Sequence, residues 1–249
     1  MKNRQTDERI GMNRDMIKMI AMVTMTLNHY AAVFLESGTI LYELLTDIGY
    51  FTAITMCYFL VEGYSYTRSK RKYAGRLLVF AIISQPPYHL ALSESGHTEY
   101  PNLNMMFTLF FCFWIIYAKK EAMPENTRRN IILISMMATI FCDWPVSAAI
   151  FTLLFLWVED APERKKDAFL VAMISFGVIN FLDRTGEYSL QNAALMACGA
   201  MLGIGMSGVC LLCFYNGRKA RRGSVLLEWF FYLYYPIHLL VLGLIRLYR

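Results

Sequence analysis

Apolar residues along this chain form runs separated by short polar and basic stretches. The runs predict nine candidate helices, at roughly 16–35, 42–66, 77–92, 103–118, 130–142, 145–158, 168–182, 190–215 and 225–246. Several are shorter than the roughly 20 residues that cross a bilayer upright. The stretch 130–158 can be one long helix or a hairpin broken at Asp143-Trp144-Pro145, and charge decides between them. With the break and an inside N-terminus, every Lys and Arg except Arg184, Arg246 and Arg249 falls on the cytoplasmic side. An unbroken helix would put the clusters around Arg164 and Arg218 outside, against the cytoplasmic preference of basic residues. The hairpin is therefore expected, its arms only about 20 Å long and set in a thinned or shielded part of the bundle. No fixed repeat and no long linker divides the chain. The expectation is one all-α domain over 1–249, a polytopic membrane helix bundle of about nine transmembrane helices including that short hairpin. Residues 1–15 would be cytoplasmic and the C-terminus outside.

Composition agrees with a membrane setting. Of 249 residues, 57% are hydrophobic and 17% charged, against roughly 25% charged in soluble domains. The net charge of +5 is scattered in short clusters, which excludes a nucleic-acid stripe and reads as topology signals facing membrane lipids. A polar stretch precedes the first apolar run and no small-residue cleavage site follows it, so the N-terminus is expected to be retained. The six cysteines lie in or beside apolar runs and read as packing residues; Cys210 and Cys213 have metal spacing, but nothing completes a site and no metal is expected.

Candidate chemistry starts with His29, an ionisable side chain within the first apolar run. Lys18 lies eleven residues earlier, about three helical turns, so the two share a face roughly 16 Å apart along the axis. Glu62 needs a cation or a proton at its depth: an ion pair with Arg68 or Lys18, or a direct chemical role, would each supply one. Arg68, Lys72 and Arg76, interleaved with Tyr66 and Tyr73, suit either a phosphorylated ligand or a topology signal meeting anionic lipid. In Gln85-Pro86-Pro87-Tyr88-His89 the prolines free backbone carbonyls near polar groups, as in a cavity wall, while His89 either meets an acceptor or sits in the interface. His97 falls in a polar outer loop and is expected to be solvent-exposed. Asn216 leads into a basic loop, and Pro236 should kink the last helix between Tyr235 and His238.

These residues resemble the conjugal-transfer TraX family of membrane acetyltransferases almost end to end. The likeness is carried by the run closing in Asn28-His29, Glu62-Gly63-Tyr64 with Thr67-Arg68 and Tyr73 to Arg76, Gln85-Pro86-Pro87-Tyr88-His89, Asp143-Trp144, Tyr215-Asn216-Gly217, and Tyr235-Pro236-Ile237-His238. The spacing of Lys18 and His29 is also similar to the Arg, ten residues, His pattern of the wider transmembrane acyltransferase group. Three positions depart from the family pattern: Asn28 stands where Asp is common, Gly49-Tyr50 where Gly-Arg is expected, and Thr55 where Pro is usual. The carboxylate that would orient His29 is thus absent from its usual place: either Glu62 or another buried acid substitutes, or this branch uses a different acceptor.

The resemblance implies an acyl-CoA donor on the cytoplasmic side, acetyl-CoA first, and transfer to a hydroxyl or amine acceptor. The namesake is associated with N-acetylation of pilin, and related enzymes modify sugars and envelope polymers. On that reading His29 is the general base, Asn28 orients it, and Glu62 assists. Lys18, Arg68, Lys72 and Arg76 meet the CoA phosphates and Tyr73 stacks on adenine. Gln85, His89, Asp143, Asn216, Tyr235 and His238 lie on the acceptor side. The expected home is the bacterial plasma membrane. Two rival classes are a proton-coupled transporter and a catalytically inactive TraX-like assembly factor.

Overall fold

The computed structural model describes residues 11–93, 102–218 and 224–248. His97, Lys219, Arg221, Arg222, Arg249 and the first ten residues, which figured in the charge and exposure expectations, lie outside the described residues. The helices are α1 (Arg14–Phe34), α2 (Ile40–Tyr66), α3 (Lys70–Leu92), α4 (Met105–Lys120), α5 (Glu125–Thr139), α6 (Ser147–Trp157), α7 (Lys165–Arg184), α8 (Leu190–Val209) and α9 (Ser224–Leu247). A π-turn, Cys210–Phe214, prolongs α8. Among the described residues there is no strand, only isolated bridges of Met12 with Tyr215 and Leu103 with Cys142. The chain is all-α.

Short polar side chains start the helices by accepting from their first free N–H groups. Asn13 caps α1 through Asp15 and Met16, Asn104 caps α4 through Met106, and Ser189 caps α8 through Asn192. Ser69 caps α3, which starts at Lys70, seven residues before the expected start, so Lys70, Arg71, Lys72 and Arg76 ride on its first two turns.

The expectation of about nine crossings is overturned. Among the described residues four helices are long and apolar enough to span a bilayer: Arg14–Phe34, Ile40–Tyr66, Leu190–Phe214 and Leu226–Leu247. The others fall short for visible reasons. α3 spends its first two turns on cations, and α7 has Lys165, Lys166 and Asp167 at one end and Asp183 and Arg184 at the other. α4, α5 and α6 have only 16, 15 and 11 residues. The chain does break between α5 and α6, but the very apolar α6 buries Ala148, Ala149 and Phe151 completely and is a core helix, not a span.

α2 is the hub, packed against α1, α8, α6 and α4, while α3 packs on α9 and α7 on α8. Hydroxyl pairs stitch the helices, as expected where lipid offers no hydrophobic drive between them. Thr24 and Thr52 meet at 2.8 Å between α1 and α2, Thr55 and Ser207 at 2.8 Å between α2 and α8, and Thr26 and the Tyr234 hydroxyl at 2.7 Å between α1 and α9. Gly203 brings α8 against the Asp47 carbonyl of α2 so closely that no Cβ would fit there. Outside, Val23, Ile82, Ile134, Leu195, Leu202 and Val241 project from the bundle. Together with the four spans, this exposed apolar surface is that of a membrane protein.

Candidate functional site

One face of α1 organises the interior. Arg14, Lys18, Met22, Met25 and His29 recur at three- and four-residue spacing, which puts them in line along the helix. Arg14, Lys18, Met22 and Met25 line a cavity of about 200 Å³ whose wall also holds Asp15, Tyr73, Arg76, Glu228 and Tyr232. Met25 and His29 line a second cavity of about 390 Å³ whose wall includes Asn28, Asp143, Trp144, Asn180 and Asp183. The first is called the basic cavity below, the second the acidic cavity. Met25, Thr52, Met105 and Tyr235 belong to both walls, so the two cavities meet at one shared layer within the bundle.

His29 is 7% exposed and His238 of α9 equally so. Nδ1 of His29 lies 2.8 Å from Nε2 of His238, and Nδ1 of His238 lies 2.9 Å from the Tyr234 carbonyl oxygen. Tyr235 presents its ring edge-on to His29 at 6.3 Å, and its hydroxyl accepts from the Met105 N–H at 3.2 Å, holding the first turn of α4 at the shared layer. Trp144 stacks on Phe176 at 5.2 Å and forms an aromatic wall of the acidic cavity.

The Asn28 amide bonds to the backbone of α2. Its side-chain N–H donates to the Thr46 carbonyl at 3.1 Å and ties α1 to α2. Glu62 is far from His29. Its carboxylate accepts from the Tyr215 hydroxyl at 2.8 and 3.0 Å and pairs at 3.7 Å with Arg14, not with Arg68 or Lys18. Since Arg14 and His29 are fifteen residues apart on α1, Glu62 sits about 22 Å down the axis from the imidazole.

Among the basic residues, Lys18, Tyr73 and Arg76 line the basic cavity with Arg14. The Lys18 ammonium lies 5.1 Å from the Phe231 ring, and the Arg76 guanidinium 5.6 Å from Tyr73 and 5.9 Å from Tyr232. Arg68 and Lys72 are exposed and outside that wall. The Nε atoms of Arg14 and Arg76 are buried without a hydrogen-bond partner among the described residues.

Of the expected acceptor-side residues, Asp143, Tyr235 and His238 come together around His29, while three others do not. Gln85 donates to His89 Nε2 at 2.8 Å and to the Asn102 carbonyl at 3.0 Å, and its oxygen accepts from the Asn104 backbone and side-chain N–H groups. That fully used amide, with His89 as its neighbour, fastens α3 to the start of α4. Asn216 donates to the Gly11 carbonyl at 2.9 Å and accepts from the Arg218 N–H, clamping the segment before α1. Asp143 accepts from the Tyr88 hydroxyl at 3.2 Å. Sequence reasoning missed Arg14, Met25, Thr52 and Trp144. The α1 residues carried a signal, because they extend the face already defined by Lys18 and His29.

Comparison with known proteins now decides the affiliation. The family model described as TraX protein matches residues 13–246. The chain belongs to the TraX family. It is also 32% identical over 237 residues to the probable fimbrial assembly protein FimC, serogroup H1, of Dichelobacter nodosus, covering 91% of this chain and 92% of that relative. No solved structure matches it.

Proposed function

We propose that this TraX-family membrane protein serves fimbrial assembly by transferring an acyl group, acetyl first, from acyl-CoA at its basic end to an acceptor held in the acidic cavity. The observation that carries the transfer reading is the shared layer at Met25, Thr52, Met105 and Tyr235, across which a basic cavity meets a buried histidine. The link to assembly draws on the description of the Dichelobacter relative. With the basic end cytoplasmic, Arg14, Lys18 and Arg76 would meet the donor's phosphates, and the Arg76 Nε, which has no hydrogen-bond partner among the described residues, suits a phosphate oxygen. The donor supplies a thioester carbonyl. Nε2 of His29 removes the proton from the acceptor hydroxyl or amine as its oxygen or nitrogen bonds to the acyl carbon and the carbon–sulfur bond breaks. The same proton then passes from His29 to the departing thiolate, leaving acylated acceptor and free thiol. Asp143, Asn180 and Trp144 bound the acceptor space without a Lys or Arg among the described lining residues, so the base meets no competing cation.

A second reading, favoured by the same relative and by the Asn28 side chain being spent on Thr46, is an assembly factor that holds its partner without chemistry. Isotopically labelled acetyl-CoA supplied to membranes containing the protein separates the two. Transfer of label to a protein or envelope acceptor, lost in His29→Gln with the fold retained, is the expected result. Restored assembly by His29→Gln in cells lacking the wild-type gene, with no label transferred by either form, would establish the non-catalytic reading.

A further inference from the structure

We propose that His238 is the positioning residue for His29, taking the place of the carboxylate that the Asn28 position lacks. The argument starts at a carbonyl. The Tyr234 oxygen can only accept, so Nδ1 of His238, 2.9 Å away, must carry a proton and donate it. A neutral imidazole with its proton on Nδ1 has a bare Nε2, and that atom faces Nδ1 of His29 at 2.8 Å. His29 must therefore donate from Nδ1. Its own lone pair is left on Nε2, on a ring that lines the acidic cavity beside Asp143 and Tyr235. One backbone oxygen thus fixes the protonation pattern of two rings in series and leaves a bare nitrogen on a ring that lines the cavity. The two rings are nearly parallel, centroids 5.1 Å apart at 12°, and the Tyr234 ring lies 5.2 Å from His238 at 14°, so His238 has little freedom to turn.

The alternative orienters are accounted for. Asn28 is bonded to Thr46 and Glu62 to Tyr215 and Arg14, and Asp143 is bonded to Tyr88. A neutral histidine in this role has a chemical consequence that a carboxylate would not share. As Nε2 of His29 gains the acceptor's proton, the Nδ1 proton can move to Nε2 of His238, so the positive charge spreads over two rings without a buried anion being needed in the resting state. The proton returns by the same route when the thiolate leaves.

The catalytic consequence rests on the acyl-transfer reading, but the protonation pattern does not. The chain has four histidines, so the ring nitrogens of ¹⁵N-histidine-labelled protein in detergent or nanodiscs can be assigned by single substitution. His29 should show Nδ1–H with bare Nε2 in the parent and lose that preference in His238→Ala. With acetyl-CoA as donor, His238→Ala should lower kcat about 10²-fold, the lower end of a general base's contribution, with donor KM changed less than twofold. His238→Gln, whose side-chain oxygen can accept from Nδ1–H, should restore most of the Nδ1–H signature and at least part of kcat. A parent His29 protonated on Nε2, or a His29 signature unmoved by both substitutions, overturns the proposal. If the parent shows the signature but transfers no label, the acyl-transfer reading fails and the pairing stands. If His238→Ala does not fold, the parent and Gln spectra still decide the matter.

Discussion

Gly49 of α2 lies so close to Asn28 of α1 that a Cβ on the glycine would overlap the Asn28 side chain. That contact, fastened by the Asn28 bond to Thr46, sets the spacing of α1 and α2 at the level of the acidic cavity, where both residues line the wall. Gly49→Ala should cost about 1–3 kcal/mol through overpacking. Thermal unfolding in detergent should show a clear fall in Tm. Gly75→Ala is the control: Gly75 is exposed on α3 with nothing within 4 Å of an added Cβ, and the change should stabilise the helix by about 0.5–1 kcal/mol. Equal effects at the two positions would show that the α1–α2 contact is not tight.

The basic residues divide by position rather than by charge. Lys18→Gln and Arg76→Gln should each weaken acyl-CoA binding severalfold because both side chains line the basic cavity, whereas Arg68→Gln and Lys72→Gln should leave it within twofold. Calorimetry on folded protein checks this. Equal losses at all four would mean that a diffuse surface charge, not the cavity, attracts the donor.

That division shows what could be read from the sequence. Helical periodicity was enough to align Lys18 with His29, because both sit on one regular helix. The same logic, carried to Arg14, Met22 and Met25, finds the α1 part of the wall. Pairing across the chain could not be read: nothing local ties His29 to His238, 209 residues away, or Glu62 to Tyr215, 153 residues away. The number of spans failed for a different reason. An apolar run is not by itself a crossing: the α6 run is buried by protein, and α3 begins within the basic cluster that lies between the predicted helices 42–66 and 77–92. An apolar residue looks the same in sequence whether lipid or another helix covers it.

Glu62 belongs to a clasp at the basic end. Its carboxylate holds the Tyr215 hydroxyl, the bridge of Met12 with Tyr215 holds the start of the described chain, and Arg14 joins the carboxylate to the Phe59 carbonyl at 3.2 Å. Glu62→Gln should remove the charge facing Arg14 and destabilise the fold by about 1.5–3 kcal/mol, the range for hydrogen bonds to charged groups. The transfer rate per folded molecule at saturating donor should stay within about threefold. Tyr215→Phe should lower Tm in the same direction. A Glu62→Gln protein with parental Tm but a transfer rate down a hundredfold would place the carboxylate in the chemistry instead.

Val146, the residue before α6, has φ of 58°, the left-handed region that a β-branched side chain seldom enters. The turn keeps it there: the Val146 N–H donates to the Thr139 hydroxyl at 3.3 Å, and the bridge of Leu103 with Cys142 holds the chain just upstream. The residues on either side, Asp143, Trp144, Pro145 and Ser147, all line the acidic cavity. Strain of about 1–3 kcal/mol is stored beside the acidic cavity, two residues from the Trp144 ring that stacks on Phe176. Val146→Gly removes the side-chain clash at that φ, but it also loosens the unfolded chain, which offsets about 0.4–1 kcal/mol of the gain. The net expectation is a Tm equal to or slightly above the parent, with acceptor KM raised because the turn is no longer held to one conformation. Thermal unfolding together with acceptor titration checks both parts. A fall in Tm of several degrees would mean that Val146 packing outweighs its strain, and an unchanged acceptor KM would separate the turn from acceptor binding.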